Sequence, residues 1–302
     1  MRRIRSIAGT TAVAGLAALV APIVLAQQAP RFRAVGEVVI VPVSVTDRNR
    51  PVSGLAADDF EILDNGVRQT VIETTLEPLS MDVTLVVDTS GSVDGPALGR
   101  FKADLQEIAL ALQPNDRVRL VTFGTRVADA GGLQPGGAPL PLHTIEVGGA
   151  TSFYNAIAAV LMAVPPSERP QLVVGFSDGL DNMSFLDART VAELAGHANA
   201  ALYLSLTRDE APQLLRGLAP WAGQPDRRSL RDAAERTGGE LFEHRPDDAL
   251  PALFRRIIDG FRTKYLLRYT PTGVAPNGWH EIVVRVKGRS YTVRARKGYQ
   301  GG

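Results

Sequence analysis

Five oxygen-bearing residues stand in three short loops of the chain. Asp88, Ser90 and Ser92 lie in Asp88-Thr89-Ser90-Gly91-Ser92, Thr151 closes Gly148-Gly149-Ala150-Thr151, and Asp178 sits in Ser177-Asp178-Gly179. Carboxylates and hydroxyls are hard donors. The chain has no Cys and only four scattered His, so such a set suits Mg²⁺ first, with Mn²⁺ or Ca²⁺ as alternatives, rather than zinc. If the three hydroxyls coordinate directly and the carboxylates act partly through water, little negative charge reaches the ion. It stays electrophilic, and its last position favours an anionic oxygen from outside, such as an Asp or Glu of a partner protein.

The elements around these loops read as a machine for placing them at one edge. Val83–Val87 is a continuous apolar run of the kind found in buried parallel strands, Gln171–Phe176 reads as another buried strand, and Arg117–Phe123 and Ala201–Leu206 read as strands beside them. Between them lie helical patterns over 96–112, 151–164 and 187–198, followed by 227–237 and 247–261. This alternation predicts an α/β fold with a doubly wound, mostly parallel sheet. Open sheets of this type bind ligands beyond the carboxyl ends of their strands, where the strand order reverses.

The flanks have a different pattern. Residues 38–46, 60–63 and 67–74 read as three strands, with Asp64-Asn65-Gly66 as a hairpin turn. Residues 265–269, 282–286 and 291–294 read as three more after the last helix. Each flank is too short to bury a core well alone. The expectation is therefore a β module over 36–79 and C-terminal strands over 263–300, packed together as a small β-sandwich around an inserted domain at 80–262. Two independent β appendages are the alternative.

The first residues read as a targeting segment. Arg2, Arg3 and Arg5 precede an apolar stretch to Leu25, and Ala26 ends a secretory signal over 1–26, ahead of a polar leader at 27–35. Its removal takes three Arg and no acid from 33 basic and 32 acidic residues, so the charge turns slightly acidic. Nothing in that balance favours nucleic acid. The expected location is secreted, periplasmic or elsewhere in the cell envelope, with a membrane involved only if the segment stays uncleaved. The absence of Cys excludes disulfides, a thiolate metal site and a cysteine nucleophile.

Asp88-x-Ser90-x-Ser92, Thr151 and Asp178, in that order on a β-α framework, resemble the metal-ion-dependent adhesion site of von Willebrand factor type A (VWA) domains. The resemblance covers about residues 80–262. It implies that Ser90, Ser92 and Thr151 contact the ion and that Asp88 and Asp178 hold it largely through water. Val45-Thr46-Asp47, Pro51–Leu55 and Asp59-Phe60-Glu61, with Tyr265-Leu266-Leu267 and Val293–Tyr299, resemble the secreted bacterial VWFA-related proteins. That likeness implies an architecture and an envelope location, and no particular ligand. Asn155 stands where the family often has Asp, at a position that is not a metal ligand there.

Other readings of the same residues remain in view. The Asp88–Ser92 loop alone is also a helix N-cap sequence. Gly175-Phe176-Ser177-Asp178-Gly179 matches G-x-S-x-G, the strand-to-helix turn of serine hydrolases, which would make Ser177 a nucleophile with His244 or His280 as its base. A scaffold with a purely structural ion is the third reading. Asp181-Asn182 reads first as a turn, with support of the metal as the other option. Asp94 reads as a complement to a helix N-terminus, and Trp221 and Trp279 as packed corners. The expected function is therefore interaction with a protein partner, not catalysis.

Overall fold

The computed structural model describes residues 38–48, 50–76, 80–90, 96–163, 169–208, 225–245 and 248–301. All of them belong to one compact unit, Glu37–Gly302. The expected signal segment at 1–26 and leader at 27–35, and the residues Ser92, Asp94 and Trp221, lie outside the described residues.

The chain opens on β1 (Val39–Asp47), where Val39, Val41, Val43 and Val45 point inward. Pro42 interrupts this strand at little cost. There β1 is flanked only by the strand Tyr265–Tyr269, because pairing on its other edge begins at Val43. A short β2 (Arg50–Pro51) folds back on β1, and β3 (Phe60–Asp64) and β4 (Val67–Gln69) form a hairpin. Its turn has positive φ at both Asn65 and Gly66, the twist-matched geometry that Asn-Gly favours.

The stretch expected as one strand over 67–74 is in fact two. β4 stays with β3, whereas β5 (Glu73–Thr75) pairs with the strand Tyr265–Tyr269 in the opposite sheet. The chain changes sheets between them. Buried Gln69 holds that corner: its amide donates to the Thr272 carbonyl at 3.0 Å and its Oε1 accepts from the Thr272 N–H at 2.9 Å.

The central sheet follows, with β6 (Asp82–Asp88), β7 (Arg117–Phe123), β8 (Val127–Asp129), β9 (Gln134–Pro135), β10 (Gln171–Ser177), β11 (Ala201–Thr207) and β12 (Glu240–His244). Its order is β12-β11-β10-β6-β7-β8, with β9 also on β7. The pairs from β12 to β7 are parallel, and only β8 and β9 run antiparallel. The helices are α1 (Pro96–Leu110), α2 (Phe153–Met162), α3 (Ala188–His197), α4 (Arg227–Arg236) and α5 (Leu250–Arg262).

Helices α1 and α5 cover one face through Leu105, Ile108, Phe254 and Ile257, and α2, α3 and α4 cover the other through Ile157, Val191 and Leu230. The fold is thus the α/β, doubly wound, mostly parallel sheet. Among the described residues no helix is long and apolar enough to cross a membrane.

After α5 come β13 (Tyr265–Tyr269), β14 (Gly278–Val286), β15 (Thr292–Ala295) and β16 (Gly298–Gly301). The sequence suggested three strands here. The fourth, β16, is rich in Gly and was hidden by that composition. Its glycine is required by contact: a Cβ on Gly298 would lie 2.3 Å from the Trp279 ring and 2.4 Å from the His280 carbonyl. The sheets β15-β1-β13-β5 and β16-β14-β3-β4 bury a shared core of Val41, Val43, Phe60, Ile62, Tyr265 and Ile282.

The amino end of the central sheet is fastened by Asp82, which is almost fully buried. Arg117 Nε donates to its Oδ1 at 2.8 Å, Arg169 Nε to the same oxygen at 2.9 Å, and Gln171 Nε2 to its Oδ2 at 2.9 Å. Burial pushes this carboxyl up. The bonds from Arg117 and Gln171 and the charges of Arg117 and Arg169 outweigh it, so the net shift is downward. A depressed folded pKa contributes stability above the unfolded value near 4, and this is lost as pH falls through the folded value. Urea unfolding at pH 7 and pH 3 should therefore show a smaller acid-induced loss for Asp82→Asn than for the wild type.

Candidate metal centre at the sheet edge

Asp88 ends β6 and is 3% exposed. Its Oδ1 accepts the Ser90 N–H at 2.9 Å, and its Oδ2 accepts the Ser177 hydroxyl at 2.7 Å. β6 and β10 are parallel neighbours, with Val87 opposite Phe176, so the two side chains meet across the gap between strand ends. This gap is where strand order reverses. From β6 the chain moves outward to β7 and β8, then returns to β10 on the other side of β6.

The second loop is stitched to the first. The Thr89 carbonyl accepts the Gly148 N–H at 2.9 Å, while the Thr89 N–H and hydroxyl both donate to the Phe123 carbonyl. Ser152 donates twice to the Gly124 carbonyl, from its N–H at 3.1 Å and its hydroxyl at 2.7 Å. Ala150 N–H donates to Thr125 Oγ1 at 3.1 Å.

This path needs glycine at 149. There φ is +83°, and a Cβ would lie 2.2 Å from Thr125 Oγ1. Gly149→Ala should cost about 3 kcal/mol, from backbone strain and overpacking together. Chemical denaturation checks that figure.

Thr151 is buried at the entry to α2. Its N–H donates to Asn182 Oδ1 at 2.8 Å, and its carbonyl accepts the N–H groups of Asn182 and Met183, both at 3.1 Å. Asp181 Oδ2 accepts the Tyr154 N–H at 2.8 Å, satisfying a free donor in the first turn of α2. Asn155 Oδ1 accepts from Phe185 and Leu186, both at 3.2 Å. Asp181, Asn182 and Asn155 therefore clamp the third loop onto the second.

The sequence suggested a plain turn at 181–182. A turn it is, but its side chains reach across to Thr151 and Tyr154, a role that only Asp and Asn close to Asp178 hinted at. Asn182→Ala should leave the Thr151 N–H without its acceptor, at a cost of about 1 kcal/mol in stability. Thermal melting measures it.

Asp178 is half-buried one residue beyond β10, and its Oδ1 accepts the Leu180 N–H at 2.9 Å. The Tyr154 phenol is pushed above its ordinary range, first by burial and also by the charges of Asp181, Asp226 and Asp187, although a bond from the Asp226 backbone works against this.

Asp88, Ser90, Thr151 and Asp178 thus end up on three interlocked loops at one sheet edge. Among the described residues no group of three or more His, Asp and Glu is gathered for a metal. An ion here would rest on hydroxyls combined with separate carboxylates. That donor chemistry fits Mg²⁺, Mn²⁺ or Ca²⁺.

The G-x-S-x-G reading meets three obstacles. No helix follows Ser177 directly, since α3 begins at Ala188. The Ser177 hydroxyl donates its proton to Asp88 and accepts the Gly179 N–H at 3.0 Å. His280, offered as its base, is buried in the β-sandwich against Asp64.

No curated protein is significantly similar to the chain. Solved structures are similar to it at low identity. The ArnB paralog VWA2 from Sulfolobus acidocaldarius is 12% identical over 87% of this chain and 76% of that one, with a TM-score of 0.49. A von Willebrand factor type A protein from Catenulispora acidiphila is 10% identical over 89% and 74%, at 0.46. The manganese-loaded TRAP protein of Plasmodium vivax is 17% identical over 80% and 100%, at 0.42. Residues 83–188, from β6 to the start of α3 and including all three loops, match the family model of a VWA-like domain (DUF2201).

Proposed function

We propose that the chain is a protein-interaction module of the secreted or envelope fraction, which binds a partner through a divalent ion held by Asp88, Ser90, Ser92, Thr151 and Asp178. The observation that carries this reading is the pair of clasps across the sheet edge, Asp88 to Ser177 and Thr151 to Asn182. They hold oxygen donors from three loops in place at one sheet edge. When bound, the ion would supply an electrophilic centre for an anionic oxygen.

The chain's own residues supply the rest. Ser177 orients the Asp88 carboxylate, and Asn182 fixes the backbone of Thr151. An acidic side chain from the partner is the complementary group. With Ser177 engaged by Asp88, binding rather than hydrolysis is the favoured reading. The secretory signal expected at 1–26 from the sequence supports the location.

The test is calorimetric titration of Mg²⁺, Mn²⁺ and Ca²⁺ into the chain without its first 26 residues, followed by chelation. The expected result is saturable uptake of one ion per chain, reversed by chelator. Metal uptake that only raises the melting temperature, with no metal-dependent binding of acidic peptides, would instead favour a structural ion. No uptake by folded protein would overturn the reading.

A further inference from the structure

A cleft of about 480 Å³ lies well away from the three loops, between the free edge of β12 and the C-terminal strands. That volume is within the range of small-molecule sites, which often form where two packed layers meet. One wall is apolar, with Leu241, Ile282, Val284 and Val293. The opposite lining is charged and unbalanced: Arg231, Arg294, Arg296 and Lys297 face Glu235 and Glu240. Both acids are already engaged, Glu240 by Arg294 and Glu235 by Lys297.

Arg231 and Arg296 have no carboxylate partner among the described residues. Arg296 is the telling one. Its Nε donates to the Gly298 carbonyl at 2.6 Å and one terminal nitrogen to Asn199 Oδ1 at 3.4 Å. Both acceptors are neutral. Burial holds its guanidinium below the ordinary arginine range, while the Tyr269 and Tyr299 hydroxyls act weakly the other way. A guanidinium does not give up its proton, so the charge stays and its electrostatic demand is unmet.

The cleft is also preformed. The Lys297 N–H donates to the Arg236 carbonyl at 2.9 Å, which ties the β15–β16 link to the end of α4. At Gly238 the two backbones touch, since a Cβ would lie 2.9 Å from Arg296 N.

We infer that this cleft binds an organic anion, a single acidic head carried on a short apolar body, with Arg296 and Arg231 on the head and Leu241, Ile282 and Val293 along the body. It is independent of the metal edge, because none of its lining residues belongs to the three loops.

Calorimetry on the chain without residues 1–26 tests this with octyl phosphate and octanoate, both below their micelle-forming concentrations. Octyl glucoside has the same tail with a neutral head, inorganic phosphate is the head alone, and vesicles of anionic lipid present the head at a membrane. The expected result is saturable uptake of one octyl anion per chain, no measurable uptake of octyl glucoside or phosphate, and no vesicle binding. Arg296→Gln and Arg231→Gln should each weaken uptake about tenfold, as expected for one charge-assisted hydrogen bond.

Arg231 is exposed on α4, so its variant decides the matter if Arg296→Gln fails to fold. Equal uptake of octyl glucoside, unchanged uptake in folded variants, or no saturable uptake would overturn the inference. Binding only to vesicles would also overturn it, in favour of a membrane-surface contact.

Discussion

Asp88→Ala should abolish saturable uptake of divalent ions while leaving the sheet folded. The side chain does three things at once. It would supply a carboxylate to the ion, it receives the Ser90 N–H at 2.9 Å, and it holds the Ser177 hydroxyl at 2.7 Å. Its loss removes a donor and releases two groups that shape the loop. Each orphaned group costs about 1–3 kcal/mol when buried, so folding should weaken by about 2–4 kcal/mol besides.

A second variant separates position from charge. Ser177→Ala keeps the Asp88 carboxylate but removes the bond that orients it, together with the acceptor of the Gly179 N–H, and metal affinity should fall by about tenfold rather than vanish. Equal affinities in the wild type and Asp88→Ala would remove the basis for a metal centre at this edge.

The largest effect on stability is expected in the β-sandwich, at Asp64. This carboxylate is fully buried on β3. His280 Nδ1 lies 2.7 Å from its Oδ1, and the hydroxyls of Tyr269 and Tyr299 donate to its Oδ2 at 2.8 and 3.0 Å. The network thus links β3 to β13, β14 and β16, fastening both sheets of the sandwich to one group. The bond to Asp64 assigns the proton to Nδ1 of His280, whose Nε2 has no partner among the described residues.

Asp64→Ala would leave two phenols and an imidazole buried without their acceptor. The expected cost is about 3–5 kcal/mol, or roughly 10 °C in melting temperature. Asp64→Asn keeps one acceptor oxygen and should lose about half as much. Thermal melting followed by circular dichroism distinguishes these outcomes, and a loss below about 1 kcal/mol for Asp64→Ala would show that the network is dispensable.

The α/β sheet was legible in the sequence because its signals are local. Val83–Val87 and Gln171–Phe176 are continuous enough in apolar residues to demand burial on both faces, and the patterns between the strands have helical spacing. Asp64-Asn65-Gly66 likewise determined a hairpin through the backbone angles it allows. Loop positions for Asp88, Thr151 and Asp178 followed from the strand and helix ends next to them.

What the tertiary structure alone decided is which distant groups meet. Hydrogen bonds between residues far apart in the chain leave no periodicity in the sequence. Nothing around Ser177 announces that its hydroxyl is directed at Asp88 rather than toward a substrate, because that depends on β6 and β10 becoming neighbours. Nothing at 181–182 announces the grip on Thr151. β16 escaped notice because its glycines carry no strand signature and are there to admit Trp279 and His280. The division of 67–74 between two sheets depends on where β13 offers a free edge. Local chemistry determined the elements and the kinds of donor at the sheet edge; the packing of the elements decided which of those donors are held, and by what.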